Sequence, residues 1–195
     1  MAATTVDALY FTGDPAADAF LGREPLALLI GFALDQQVTV QKAFSAPLEL
    51  SKRIGGFDAG RIAGMEPAVL EEAFRAKPAL HRYPGVMAKR IQELARVIES
   101  EYGGHAERVW TEAADGADLR RRLEGLPGFG DMKVRSITAV LAKRFGDENA
   151  QDIAPDHPTL GDVDSPEALE EYQAKKRAYK AAQRAGQKAS WDSPR

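Results

Sequence analysis

Almost every segment of this chain repeats its apolar residues at the spacing of an α-helix. The clearest case is the segment 84–102, where one helical face would carry Met87, Ile91, Leu94 and Ile98. No window of four to eight residues alternates convincingly between apolar and polar, and only ALYFT (8–12) is typical of a short strand. The sequence therefore predicts an all-α fold.

Capping residues, glycine and proline indicate where the helices begin and end. Asp14-Pro15 begins the first helix, since Asp can accept from the first amides and Pro lacks only an N–H that has no helical partner there. A second, apolar helix extends from Pro25 to about Leu34, and Thr39 can cap the third. Gly103-Gly104 ends the helix over 84–102.

The remaining segments divide the chain into a domain and a C-terminal extension. Glycines and prolines between Gly55 and Pro78 predict short helices in that segment. Two further helices are predicted over about 117–124 and about 131–145. An Asp-, Pro- and Gly-rich loop covers 146–164. The last helix opens at Ser165-Pro166 and carries a thin apolar stripe of Leu169, Tyr172 and Tyr179. We expect one compact domain over 1–164 and a C-terminal basic helix and tail over 165–195.

The absence of cysteine removes several kinds of chemistry at once. It excludes disulfides, thiol nucleophiles, cysteine zinc sites and cysteine-ligated iron–sulfur clusters. The three histidines, His81, His105 and His157, do not have the spacing of metal ligands. We therefore expect neither a metal nor a cofactor.

Two features bear on location. The longest apolar run, LALLIGFAL (26–34), falls short of the roughly 20 residues of a membrane helix. The segment MAATTVDALYFTGD at the start lacks the basic and apolar regions of an export signal. We expect a cytoplasmic protein that does not contact a membrane.

Positive charge is concentrated in an acidic protein. The formal net charge is −3, yet the segment 172–195 carries seven Lys and Arg against one Asp. Such a segment can bind phosphate, but it can equally be a solvated, frayed chain end, and the sequence leaves both interpretations open.

The segment 119–145 is the most informative part of the sequence. It holds seven Lys and Arg against Glu124 and Asp131, and it predicts two helices joined by Pro-Gly-apolar-Gly. Gly128 and Gly130 can adopt positive φ and leave bare N–H groups beside the second helix. Those donors and the helix dipole suit a backbone phosphate. The alternative is a packing corner in which glycine only permits a tight bend.

These residues resemble the HhH-GPD superfamily of base-excision-repair DNA glycosylases. LPGFGDMKVRSITAVL (126–141) looks like its helix-hairpin-helix, and LLIGFALDQQVTVQKAF (28–44) resembles the Gln-Gln segment of its alkyl-base glycosylases. YPGVMAKRIQELARVI (83–98) fits the helix between them, so the resemblance covers about 24–157. It implies a compact HhH-GPD-like fold, a nucleoid-associated monomer and double-stranded DNA with a damaged base as partner. It also implies hydrolysis of an N-glycosidic bond on an extruded base.

The resemblance also implies a catalytic carboxylate beyond the second hairpin helix. Asp156 in IAPDHP is the candidate, since a carboxylate stabilises positive charge that develops on the sugar. It lies 26 residues after Gly130, a longer interval than in the family, so Asp152 and Asp162 remain alternatives. Asp156 can also be a turn former between Pro155 and Pro158.

Further site residues follow from the same resemblance. Met132 occupies the position of the imine-forming lysine of bifunctional members, so the reaction is expected to be monofunctional. Lys133, one residue later, is expected to contact phosphate. Gln37, or otherwise Gln36, would fill the gap left by the extruded base, unless these amides cap helices instead. Candidates for lining a base pocket, each of which can instead be core, are Met132, Trp110, Tyr83 and Phe32.

Three classes of function remain at this point. The leading hypothesis is a monofunctional glycosylase. The second is a non-catalytic helix-hairpin-helix DNA-binding protein, kept open by the long interval to Asp156 and the displaced lysine. The third is a helical protein-interaction domain without a nucleic-acid role.

Overall fold

The computed structural model describes residues 5–191, and this range contains helices and loops but no strand. In chain order, the helices are α1 (Pro15–Arg23), α2 (Pro25–Leu34), α3 (Val40–Ile54), α4 (Ala59–Gly64), α5 (Pro67–Arg75), α6 (Pro84–Tyr102), α7 (Arg108–Thr111), α8 (Gly116–Glu124), α9 (Asp131–Arg144), α10 (Glu148–Gln151) and α11 (Pro166–Trp191). A 3-10 turn over Leu160–Asp162 lies between α10 and α11. The all-α prediction is confirmed. None of the helices in this range is long and apolar enough to cross a membrane.

α2 is the central helix, and every residue from Leu26 to Leu34 is buried. α1, α3, α6 and α9 pack around it. Gly31 allows α3 to approach closely, because a Cβ at this position would lie 2.4 Å from Cδ1 of Phe44. Phe44 meets the rings of Phe11 and Phe32 edge to face, with centroids 5.1 and 5.0 Å away. This packing fixes the carboxyl end of α2, where the turn to α3 begins.

The predicted helix ends are confirmed where a local cap determines them. Asp14 accepts a hydrogen bond from the amide of Ala16, and Thr39 accepts one from the amide of Lys42. α6 ends at Gly103, which has φ of 62°. Its predicted buried face is also confirmed at Met87, Ile91, Leu94 and Ile98. Each such cap contributes about 1 kcal/mol to stability.

The segment 8–12 is a loop, and the interpretation of it as a strand is wrong. Its polar groups bond to α1 instead of a neighbouring strand. The amides of Phe11 and Thr12 donate to Asp18 Oδ1 at 3.1 and 2.9 Å, and the Thr12 hydroxyl donates to the same oxygen at 2.8 Å. A single buried carboxylate therefore replaces a strand partner, which alternation of residue types cannot reveal.

The second half of the described chain is built around α9. Its predicted apolar face is buried at Val134, Ile137 and Leu141, and Phe145 directly after it is buried as well. The segment 146–164 is more ordered than the predicted loop, since it contains α10 and the 3-10 turn. Asp147 caps α10, and Thr159 caps the 3-10 turn. These polar residues contributed to the prediction of a loop, but in the structure they begin short helical elements.

α11 follows Ser165, whose hydroxyl accepts from the amide of Ala168. Leu169 and Tyr172 are buried as the stripe predicts, whereas Tyr179 is half exposed. The ring of Tyr179 stacks on His157, with centroids 6.0 Å apart. Residues 192–195 of the predicted tail lie outside the described residues.

Candidate nucleic-acid interface

The α8–α9 turn, residues 125–130, combines two glycines in different conformations. Gly128 has φ of +90°, and a Cβ there would lie 2.6 Å from Cδ of Arg90. Gly130 was expected to be able to adopt positive φ, but it has φ of −99° and is the extended N-cap of α9. A Cβ on Gly130 would have no atom within 4 Å. Gly128 thus shapes the turn, while Gly130 leaves open space beside the first amides of α9.

Acidic side chains already pair with part of the positive charge at this turn. Arg120 bonds to Asp131 and, through Nε at 2.8 Å, to Glu124. Arg135 Nε lies 3.0 Å from the other oxygen of Asp131. All four side chains are well exposed, so these pairs contribute little to stability and exchange readily. A phosphate at the N-terminus of α9 would compete with Asp131 for the two arginines.

The α2–α3 turn, residues 35–39, presents Gln37 at its apex. Gln37 is the only non-glycine residue with positive φ among the described residues, at 55°. A left-handed non-glycine residue is uncommon and stores strain, a pattern that occurs often at functional sites. Its exposed side-chain Oε1 accepts from the hydroxyl of Tyr83 at 3.2 Å.

Gln36 has the opposite orientation, toward the interior. Its Nε2 donates to the sulfur of Met87 at 3.4 Å, and its carbonyl lies 3.0 Å from Nε2 of His81. His81 Nδ1 accepts from the amide of Tyr83, so the proton is assigned to Nε2. Burial lowers the pKa of His81 and favours this neutral form. Neither Gln36 nor Gln37 caps a helix in these contacts, which favours Gln37 over Gln36 as the residue that can reach a ligand.

Lys133 connects α9 to α2, the two helices that adjoin the α8–α9 turn and the α2–α3 turn. Its Nζ donates to the carbonyl oxygen of Ala33 at 2.7 Å, at the carboxyl end of α2. Burial, followed by the charge of Arg90, lowers the pKa of Lys133 to about 8, while Asp35 acts in the opposite direction. A phosphate contact would require this ammonium to exchange its internal bond. That role for Lys133 stays a prediction.

Three residues at this junction, Asp35, His81 and Arg90, are not among the predicted site residues. Asp35 directly follows α2, His81 lies in the segment before α6, and Arg90 lies in the second turn of α6. Arg90 packs across Gly128 and reaches the sulfur of Met87 at 3.9 Å. The one available signal is a cation three residues after Met87, beside the predicted apolar stripe of α6.

The candidate base-pocket residues separate into two pairs. Trp110 and Phe32 are fully buried in the core. Met132 is 71% exposed, and Tyr83 is 41% exposed. Exposed large apolar side chains are informative because a folded chain gains stability by burying them. Met132 and Tyr83 are therefore the members of this set that a ligand can contact.

Asp156 lies in a different environment from the two turns. It is an exposed loop residue that lines a pocket with Lys143, Asp162 and the α11 residue Lys175. Neither the α8–α9 turn nor Gln37 or Lys133 lines that pocket. The catalytic role of Asp156 stays a prediction.

The two alternative carboxylates also have distinct environments. Asp162 accepts from Lys143 at 2.5 Å and from the amide of Thr159 at 2.8 Å. Burial acts to raise its pKa, but these hydrogen bonds outweigh burial and lower it. Asp162 thus has a structural role as part of a capping box. Asp152 is exposed.

Histidines do not form a metal site in the part of the chain that the structure describes. His81 is bonded to the α2–α3 turn, His105 pairs with Glu107, and His157 stacks on Tyr179. Over residues 5–191, no group of three or more His, Asp or Glu side chains is arranged to hold a metal ion.

Comparison with known proteins identifies no relative. A scan against protein-family models, a search of curated proteins and a search of solved structures each find no match. The functional argument therefore depends on the two motifs and on the geometry that connects them.

Proposed function

We propose that this chain binds double-stranded DNA and hydrolyses the N-glycosidic bond of a damaged base, as a monofunctional glycosylase of the HhH-GPD type. One observation carries the proposal. The two motifs that resemble that superfamily are far apart in sequence, yet Lys133 of the second donates directly to Ala33 of the first. This bond holds the two segments side by side, so that one DNA-binding surface can use both.

DNA binding is supported by the α8–α9 turn. Gly130 leaves space at the N-terminus of α9, where unpaired amides and the helix dipole favour a phosphate oxygen. Arg120 and Arg135 lie beside this point, held by exposed ion pairs that a phosphate can displace. A phosphate contact of this kind positions a duplex without reading its sequence.

Base extrusion is supported by the α2–α3 turn. A residue that replaces an extruded base must project from a rigid backbone and carry hydrogen-bonding groups. Gln37 meets both requirements, since its left-handed backbone is fixed between α2 and α3 and its amide is exposed. The Tyr83 hydroxyl orients that amide by donating to Oε1. Tyr83 and Met132 add exposed apolar surface for a neighbouring base.

The proposed reaction is hydrolysis, with Asp156 as the carboxylate. The bond from sugar C1′ to the base nitrogen breaks, the base leaves with the electron pair and takes a proton, and water supplies hydroxyl to C1′. A carboxylate beside the sugar stabilises the positive charge that develops as this bond breaks. Met132 has no amine, so the side chain at this position cannot form an imine with the sugar.

A second candidate function is DNA binding without catalysis. The placement of Asp156 favours it, because the pocket that Asp156 lines is shared with α11 and not with the two turns. The third class, a protein-interaction domain, leaves the open N-terminus of α9 and the strained Gln37 without a role.

A panel of duplexes, each with one modified base, tests these three hypotheses. Base release and duplex binding are measured for every duplex at the same low salt. Release of at least one free base supports the glycosylase. Tight duplex binding with no release from any substrate supports the non-catalytic reading. If no duplex binds and no base is released, the hypothesis of a protein-interaction domain is the one that remains. Gly130→Glu is the matched control, since it should remove duplex binding and release together.

A further inference from the structure

A groove between α9 and α11 extends beyond the interface described above and shares Met132 and Arg135 with it. The α9–α11 groove is defined by Met132 and Arg135 of α9, His157 of the loop before α11, and Tyr172, Lys175, Lys176 and Tyr179 of α11. Its volume is about 380 Å³. Small-molecule sites range over about 300–1,000 Å³, so this space has the size of a site for one nucleotide and does not admit a duplex.

The groove is positively charged inside an acidic protein. Arg135, Lys175 and Lys176 line it, and no Asp or Glu does so. The adjoining pocket, in contrast, is of mixed charge, since Asp156, Asp162 and Glu171 line it together with Lys143 and Lys175. Arg135 and Lys175 pair with Asp131 and Glu171 at 3.0 and 2.6 Å, but these are exposed pairs that exchange readily. The charge of the groove therefore suits a polyanion.

Aromatic rings alternate with these cations. Tyr179 and His157 stack with an interplanar angle of 23°, and Tyr179 remains half exposed. The ammonium of Lys176 lies 5.4 Å from the ring centroid of Tyr172. Rings interleaved with cations in a narrow groove are typical of surfaces that bind unpaired nucleotides, because bases stack on the rings and phosphates meet the cations.

The groove is continuous with the N-terminus of α9. Met132 and Arg135 line it and belong to the first two turns of α9. One helical turn advances about 5.4 Å, so a strand held at the α8–α9 turn reaches the groove within a short distance.

We infer that the α9–α11 groove binds an unpaired stretch of the DNA strand whose backbone is held at the α8–α9 turn. Phosphates meet Arg135, Lys175 and Lys176, and a base stacks on Tyr179. This inference rests on the proposed duplex binding, and it adds a second contact, specific for single-stranded DNA next to a duplex. An acidic peptide would use the same cations but would not need the rings.

Fluorescence anisotropy with the full chain tests the inference. The probes are a blunt duplex, the same duplex with six unpaired thymidines at its 5′ or 3′ end, and a thymidine single strand. We expect one of the two extensions to tighten binding by about tenfold, the size expected for stacking one base. Tyr179→Leu and Lys176→Gln should each remove most of this gain and leave blunt-duplex affinity within about twofold. Tyr179→Phe, which keeps the ring, should retain it.

Controls separate this inference from the proposed function. Lys52→Gln removes an exposed lysine of α3 and should change neither the blunt-duplex affinity nor the gain. An extension without effect, or a gain that survives Tyr179→Leu at unchanged helicity, overturns the groove assignment while duplex binding stands. Single-strand binding without duplex binding keeps the groove and overturns the proposed function. If polyglutamate competes as well as single-stranded DNA for the groove, and Tyr179→Leu does not change this competition, the groove is assigned to an acidic peptide. If none of the DNA probes binds, both proposals are overturned.

Discussion

The Nζ of Lys133 donates to the carbonyl oxygen of Ala33 at 2.7 Å, although the two residues are 100 positions apart in the chain. This bond joins the first turn of α9 to the carboxyl end of α2, the most buried helix of the fold. It therefore fixes the distance between the α2–α3 turn and the α8–α9 turn. The half-buried ammonium also makes the junction sensitive to pH.

Stability should rise with pH through the range in which Lys133 titrates. The pKa of Lys133 is about 8 in the folded chain and about 10.5 when unperturbed, so the unfolded state binds more protons between these values. A shift of this size corresponds to about 3 kcal/mol at most, and because the side chain is partly exposed we expect about 1 kcal/mol. Urea unfolding of the wild type and of Lys133→Met at pH 7.5 and pH 10 measures it. An equal pH dependence in both proteins would show that Lys133 does not titrate as described.

Borohydride should not trap a covalent complex between this protein and DNA. Met132 cannot form an imine, and the Lys133 amine is bonded to Ala33 inside the protein. Reaction with an abasic or base-damaged duplex in the presence of borohydride, followed by denaturing electrophoresis, is the measurement. The abasic product should remain unnicked until alkali is added. An adduct that disappears in Lys133→Ala would make Lys133 the nucleophile and the enzyme bifunctional.

The two glycines of the α8–α9 turn should respond differently to substitution. Gly130→Glu places a side chain in open space, so the fold should persist while its charge repels phosphate and duplex affinity is lost. Gly128→Ala should instead lower stability by about 1–2 kcal/mol, because its φ is +90° and its Cβ would meet Arg90. Thermal unfolding and anisotropy on both variants separate the effects. Unchanged affinity in Gly130→Glu at equal helicity would remove the turn from the binding surface.

Local rules predicted those parts of the fold that short stretches of chain determine. α2 begins at Pro25 and ends at Leu34 as predicted, because proline at the start and an apolar run define that helix without reference to the rest of the chain. The cap at Thr39 and the end of α6 at Gly103 have the same kind of cause. In each of these cases, the determining residue lies within one helical turn of the feature.

Features that depend on distant partners were not predictable in this way. Gly130 is extended although glycine permits either sign of φ, and the segment 8–12 is held by a carboxylate on α1. The bond from Lys133 to Ala33 and the packing of Arg90 on Gly128 likewise join segments that only the tertiary fold brings together. The sequence motifs predicted which segments matter at the candidate site but not which atoms meet there.

Duplex affinity should fall steeply with salt, and truncation should reveal whether the end of α11 contributes. The logarithm of the binding constant falls by about 0.9 per logarithmic unit of salt for each phosphate neutralised. Truncation after Tyr179 keeps Leu169 and Tyr172, which are buried, and removes the basic residues beyond. A salt titration of both proteins should give a smaller slope for the shortened chain. If the full and the shortened chain give the same slope, the removed residues do not contact DNA.

Asp156→Asn should reduce base release by a large factor and leave duplex binding equal or tighter. The amide keeps the size of the carboxyl group but cannot stabilise a cation on the sugar, and losing a negative charge near phosphates favours binding. The matched control is Asp164→Asn, an exposed carboxylate of the same segment that is not a catalytic candidate, and it should leave base release unchanged. Single-turnover release and anisotropy on the same duplex measure them. If release is present in the wild type and Asp156→Asn leaves it intact, the catalytic carboxylate lies elsewhere, and the alternatives Asp152 and Asp162 are the next residues to substitute.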